Sequence, residues 1–149
     1  MNNNIESVEV FLVEDNETDI ELIKEALKLS RLSTSLKIAN DGEEAIDYLT
    51  DNCEKMESQK PDIILLDLNL PKKDGIEVLS FIKNNNRIKD IPVIVLTVSG
   101  CNNDVLKAYS HHANCYIRKP VDFDKFEEIV RQIETFWFSI VSLPRKEMA

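Results

Sequence analysis

Between Asp62 and Asp67 lie four apolar residues in a row, Ile63-Ile64-Leu65-Leu66, with no polar face among them. A strand of that pattern is covered on both sides, as in a parallel sheet flanked by helices. Three further runs have a similar form. Val8-Glu9-Val10-Phe11-Leu12-Val13 gives way to Glu14-Asp15, residues 92–96 to Thr97, and the weaker run Cys115-Tyr116-Ile117-Arg118 to Lys119-Pro120. In an open parallel α/β sheet the carboxyl ends of the strands share one edge, where ligands bind. The pattern therefore predicts Glu14, Asp15, Asp67, Thr97 and Lys119 gathered in a single crevice.

Helical stripes separate these runs. Asn16-Glu17-Thr18-Asp19 is an acid-rich start that suits the positive end of a helix dipole. Ile20, Leu22, Ile23, Ala26, Leu27 and Leu29 then predict a first helix reaching about Arg31. Residues 36–39 read as a short second strand, Asp41-Gly42 as a turn, and 44–49 as a short helix with Ala45, Ile46 and Leu49 inward. The charged stretch 50–61 lacks periodicity and reads as a frayed helix end with a loop. Residues 71–75 leave Asp67 as a loop, and Ile76, Leu79, Phe81 and Ile82 carry a third helix. Val105, Leu106, Ala108 and Tyr109 carry a fourth, ending near His111-His112. From Phe123 and Phe126 through Ile129, Val130, Ile133, Trp137 and Ile140 the pattern predicts a last helix of unusual length.

Five strand-then-helix repeats with short connections make this an α/β chain with right-handed crossovers. We expect one domain over residues 1–149, with a core of about 7–134, a flexible N-terminus at 1–6, a tail at 135–149 and no effector domain.

Charge and cysteine usage narrow the function classes. Eighteen basic against 27 acidic side chains give a net charge of −9, which argues against a nucleic-acid surface. No stretch approaches the roughly 20 apolar residues of a membrane span, and no secretory signal opens the chain, so the expected compartment is the cytoplasm. Cys53, Cys101 and Cys115 lack zinc or redox spacing and read as free thiols, with Cys101 and Cys115 expected to be buried.

Carboxylates converging on one crevice repel: two charges ~4 Å apart at an effective dielectric of ~20 cost roughly 4 kcal/mol. Such a cluster keeps a proton or binds a cation. Oxygen ligands suit Mg²⁺, or Mn²⁺, better than zinc. A carboxylate beside such an ion, with a hydroxyl and an ammonium nearby, is equipped for phosphoryl transfer. Asp67 would be the attacking oxygen, while Thr97 and Lys119 would meet the phosphoryl oxygens. Lys119-Pro120 further suggests a cis peptide that aims the ammonium inward.

These residues together resemble the receiver domain of two-component response regulators, over roughly residues 8–133. The resemblance rests on the acidic pair Glu14-Asp15, on Asp67, on Pro71 with Asp74-Gly75, and on Thr97, Tyr116 and Lys119-Pro120. It implies a flavodoxin-like doubly wound sheet of five parallel strands, order 2-1-3-4-5, with five helices. It implies Asp67 as phosphoacceptor, with Mg²⁺ held by Asp15, Asp67 and the backbone carbonyl of Asn69, and Glu14 acting through water. The donor would be a phosphohistidine on a sensor kinase, Thr97 and Tyr116 would form the switch, and the face of helix four, strand five and helix five would change partners. Those partners would be a downstream protein or a phosphotransfer protein, and the chain would be a signalling switch rather than an enzyme.

Departures and alternatives follow from particular residues. Val98 and His112 replace the family's usual small residue and helix-closing glycine, while Asn69 and Ser99 hold the two variable positions that tune phosphoryl lifetime. An Asp-nucleophile phosphatase of the haloacid dehalogenase type wants a second Asp where Asn69 stands. A phosphorylation-independent pseudo-receiver is opposed by the intact acids, Thr97 and Lys119. The ending, Phe136-Trp137-Phe138 with Leu143-Pro144, is similar to that of small stand-alone receivers serving phytochrome-type kinases. Three consecutive aromatics cannot all be buried by one helix face, so partner docking or a homodimer through them is expected.

Overall fold

The computed structural model describes residues 7–29, 33–53 and 60–144. The expected frayed N-terminus, the end of the first helix at Arg31, most of the loop after residue 53 and the end of the tail lie outside them. Within the described residues, β1 (Val8–Val13), β2 (Thr34–Ala39), β3 (Ile63–Leu66), β4 (Val93–Thr97) and β5 (Cys115–Arg118) form one parallel sheet, order β2-β1-β3-β4-β5. Helices α1 (Glu17–Lys28), α2 (Gly42–Cys53), α3 (Gly75–Lys83), α4 (Asn102–Ser110) and α5 (Phe123–Ile133) alternate with the strands. This is the flavodoxin-like doubly wound arrangement, and its order reverses beside β1 and β3, where such sheets bind ligands.

The pleat sorts the strands' side chains into two cores. Phe11, Val13, Ile64, Leu66, Val93 and Val95 face α2, α3 and α4. Val8, Val10, Leu12, Ile63, Leu65, Ile94 and Leu96 face α1 and α5. Every residue of β3 and β4 is buried, which is why their sequences carry no polar face. β2 lies at the sheet's edge and alternates between half-buried and exposed, as one-sided cover requires.

Caps set the helix starts. Asn16, Asp74 and Asp122 each accept a backbone N–H from the first turn of α1, α3 and α5. The helix ends differ from the sequence reading at named places. Leu29, expected inward, caps α1 and is 68% exposed. In α4 only Ala108 is buried; Leu106 and Tyr109 are exposed. Cys101, expected buried, precedes α4 and is exposed; Cys115 is half-buried, and both are free thiols. His112 adopts φ 70°, the left-handed conformation in which glycine usually closes a helix.

α5 passes directly into a π-helical segment, Glu134–Ile140, where the Val141 N–H donates to the Phe136 carbonyl at 2.8 Å. π winding takes an extra residue per turn and shifts the phase of the side chains. Trp137 and Phe138 pack partly against the α1–α5 core, while Phe136 remains 51% exposed. The aromatic run is thus split two against one. No helix among the described residues is long and apolar enough to cross a membrane.

Candidate functional site

Strand register brings the chemistry to one rim. Val13 pairs with Leu66 and Leu66 with Val95, so Glu14-Asp15 and Asp67 leave the sheet side by side. Thr97, at the end of β4, pairs with Arg118, which puts Lys119 one residue beyond. The Lys119 N–H donates to the Thr97 carbonyl at 2.7 Å and holds that step of backbone in place.

The loop after Asp67 closes tightly over the rim. A Cβ on Gly75 would stand 2.4 Å from the Leu68 Cα and 2.5 Å from the Asp67 carbonyl oxygen, so α3 can start there only from glycine. The Gly75 N–H donates to the Leu68 carbonyl at 2.9 Å.

Both oxygens of Asp67 are engaged. Oδ1 accepts from the Thr97 hydroxyl at 2.8 Å and from the Asn69 N–H at 3.0 Å. Oδ2 accepts from the Lys119 ammonium at 3.0 Å. That ammonium also donates to Glu14 Oε2 and, at 2.9 Å, to Asp19 Oδ2. Glu14, Asp67, Thr97 and Lys119 are all buried, and Asp15 is exposed.

Three carboxylates, those of Glu14, Asp19 and Asp67, share the one ammonium of Lys119. Glu14 is pushed up to about 7, first by burial and then by the charge of Asp67, against the opposing hydrogen bond from Lys119. Burial alone would lower Lys119; its bond to Glu14 and the charges of Asp67 and Glu14 outweigh that and hold it above its ordinary value.

A divalent cation would answer the same surplus. Glu14, Asp15 and Asp67 each offer an oxygen, all within 4.8 Å of one another. An all-oxygen donor set fits Mg²⁺ or Mn²⁺.

Residues 10–131 match the profile of the response regulator receiver domain. The chain belongs to that family. Response regulator Rcp1 of Synechocystis sp. is 45% identical over 135 residues, 91% of this chain and 92% of that protein. The Mn²⁺-bound crystal structure of Rcp1 superposes with a TM-score of 0.87 at 44% identity, covering 93% of this chain and 99% of that one. The phosphorylated cyanobacterial phytochrome response regulator RcpA gives a TM-score of 0.88 at 46% identity, with the same coverage of 93% and 99%. The probable methanogenesis regulatory protein FilR2 of Methanothrix harundinacea is 41% identical over 86% of this chain and 82% of that protein. Receivers are signalling switches that take phosphate from a histidine kinase.

In this receiver the structure brings together all five residues expected at the crevice. Asn69 sits at its lip, its side-chain amide 3.5 Å from the Thr97 hydroxyl. Tyr116 is half-buried, and its hydroxyl donates to the Ser99 carbonyl at 2.6 Å. The Ser99 hydroxyl in turn donates to Asp104 at 2.5 Å.

The expected cis bond at Lys119-Pro120 is corrected: no cis peptide occurs among the described residues. The ammonium is aimed by the end of β5 and by its carboxylate partners, with a trans bond at Pro120.

Asp19 was not anticipated as part of the site. Its place in the first turn of α1 was accounted for by the helix dipole. The available signal is its place in the first turn of α1, a helix that starts two residues after Asp15 at the same rim.

Proposed function

We propose that this receiver accepts a phosphoryl group on Asp67 from a phosphohistidine of a sensor histidine kinase in the cytoplasm. Glu14, Asp15, Asp67 and the Asn69 backbone carbonyl would hold Mg²⁺, or Mn²⁺. When bound, the ion supplies charge neutralisation for the carboxylates and for the incoming phosphoryl oxygens.

An Asp67 oxygen attacks phosphorus; the new P–O bond forms as the P–N bond to the imidazole breaks, and the imidazole leaves carrying its proton. The product is an acyl phosphate. The Thr97 hydroxyl and one Lys119 N–H turn from the Asp67 oxygens to the phosphoryl oxygens, where charge builds up during transfer.

A shift of Thr97 toward the phosphoryl group draws on the loop that holds Ser99. Tyr116 is bonded to that loop, so its hydroxyl leaves the Ser99 carbonyl as the ring turns inward. A local charge change then biases a two-state element, the face of α4, β5 and α5. Output passes to a protein partner or a phosphotransfer protein, with Asn69 and Ser99 setting how long the phosphoryl group survives. Turnover beyond slow loss of its own phosphoryl group is not part of this reading.

The observation that carries it is the division of Asp67's two oxygens, one on Thr97 and the other on Lys119, beside two further carboxylates. The likeness to RcpA supports a phytochrome-type kinase as donor. The exposed Phe136, beside the half-buried Trp137 and Phe138, supports self-association through this segment.

Incubation with acetyl phosphate and Mg²⁺, followed by intact-mass measurement, tests the core of the reading. One added phosphoryl group is expected, absent in Asp67→Asn. A gain that survives that substitution would place the acceptor elsewhere.

A further inference from the structure

The Lys119 ammonium has three N–H donors, and the structure gives each a carboxylate: Glu14, Asp19 and Asp67. Two of those partners have other business in the chemistry. Asp67 receives the phosphoryl group and loses its charge, and Glu14 belongs to the oxygen trio that fits a divalent cation. Asp19 lies outside that trio. It is therefore the one carboxylate on the lysine for which neither a cation nor the phosphoryl group competes.

Asp19 is also well held. Its N–H donates to the Asn16 side chain at 3.0 Å, while the Asn16 N–H donates to Glu14 Oε1 at 3.1 Å. This short chain of bonds links Glu14 to Asp19 through the first turn of α1, so two of the lysine's partners are set by one rigid corner. The Asp19 side chain is 24% exposed against 3% for Lys119, which places it as the outer wall of the ammonium's pocket.

We infer that Asp19 is a positioning residue for phosphoryl transfer: it anchors the Lys119 ammonium while one N–H swings from Asp67 to the phosphoryl oxygens. This rests on Asp67 being the acceptor. The anchor matters because a lysine is a flexible point charge, and its value in the transition state depends on where it is held. Without Asp19 the ammonium keeps its charge but not its place.

A double-mutant cycle on the full chain tests this, with acetyl phosphate and Mg²⁺ as the donor system. Uptake rates are measured for the wild type, Asp19→Asn, Lys119→Met and the double variant. Asp19→Asn keeps the side chain's shape and should slow uptake about tenfold when Lys119 is present, the scale of one charged hydrogen bond. In the Lys119→Met background the same substitution should change the rate less than about twofold, since nothing is left to position. Equal losses in both backgrounds, or no loss in either, overturn the inference.

A second readout does not need phosphorylation. Exchange of the Lys119 ammonium protons, followed by ¹⁵N-edited NMR, should accelerate in Asp19→Asn; unchanged exchange overturns the anchoring role. If the wild type takes up no phosphoryl group yet the ammonium protons respond, the reading of Asp67 fails and the anchor stands.

Discussion

Lys83 and Lys119 sit at opposite ends of the same sheet, and each gives all three ammonium donors to protein oxygens. Lys83, near the end of α3, donates to the Lys89 and Ile91 carbonyls at 3.0 and 2.9 Å and to the Asn114 side chain at 3.0 Å. Asn114 also accepts the N–H of Val93, so this cluster closes the amino edge where β4 begins. Its acceptors are neutral, and burial lowers the lysine's proton affinity against the small opposing effect of Asp90. At the carboxyl edge the acceptors of Lys119 are carboxylates; its bond to Glu14 and the charges of Asp67 and Glu14 outweigh burial, and its proton affinity rises instead. Neutral acceptors give a static tie between loops. Charged acceptors in surplus give a cluster that a cation or a phosphoryl group can rearrange. Same donor, different duty.

The comparison breaks most visibly under paired removal. Lys119→Met should slow phosphoryl uptake by about a hundredfold or more, the scale of deleting one donor to a developing anion. Lys83→Met should leave that rate within about twofold, because none of its partners touches the acceptor. Stopped-flow or mass-based uptake assays with acetyl phosphate read both. A comparable loss of rate in Lys83→Met would erase the division between the two edges.

Glu14 sharpens the contrast through pH. It binds its proton more tightly in the folded protein than in the unfolded chain, at about 7 against 4.5. Folding is therefore favoured most below about pH 4.5, and that contribution is lost as pH rises through about 7. In the absence of divalent ions its loss costs at most about 3 kcal/mol. Urea unfolding in EDTA at pH 5 and pH 8 should show the decline, and Glu14→Gln should flatten it. Millimolar Mg²⁺ should restore stability at pH 8, since it relieves the same excess of charge. A profile unchanged by Glu14→Gln would remove Glu14 as its source.

Much of this division was legible in the sequence, for a definite reason. Strand ends are marked by the switch from apolar runs to polar residues, and a parallel sheet forces those ends to one edge. Glu14, Asp67, Thr97 and Lys119 were found that way. Asp19 was not, because its contact depends on how α1 is rotated about its axis, which a stripe of apolar residues sets only coarsely. The same limit hid Leu106 and Tyr109: periodicity identifies a helix but not what its neighbours leave uncovered. Ile140 differs for another reason: its place in the stripe assumes α-helical winding, and the π segment changes the winding and leaves it 67% exposed. Lys83 carried no signal at all, since its acceptors are backbone carbonyls and one asparagine at a distance in sequence.

At the amino edge the cost of losing Lys83 is one of stability. Lys83→Met removes a charged donor and leaves the Lys89 and Ile91 carbonyls and the Asn114 side chain short of a partner, a loss of about 2 kcal/mol after allowing for partial access of water. The denaturant midpoint should fall with the slope unchanged. A variant as stable as the wild type would show that water replaces the ammonium at no cost, and the tie would be incidental.

The smallest effect tests the same edge from its backbone. His112 closes α4 at φ 70°, with its N–H on the Tyr109 carbonyl at 2.9 Å, two residues before Asn114. A side chain in that conformation costs roughly 1–2 kcal/mol, which glycine does not incur. Glycine also gives the unfolded chain more freedom, worth about 0.4–1 kcal/mol in the other direction. The difference favours the folded state, so His112→Gly should stabilise by about 0.5–1 kcal/mol while uptake of phosphoryl stays as in the wild type. Thermal unfolding reads the first and the acetyl phosphate assay the second. Destabilisation would mean that the imidazole itself holds the α4–β5 turn, and the amino edge would then depend on a third side chain besides Lys83 and Asn114.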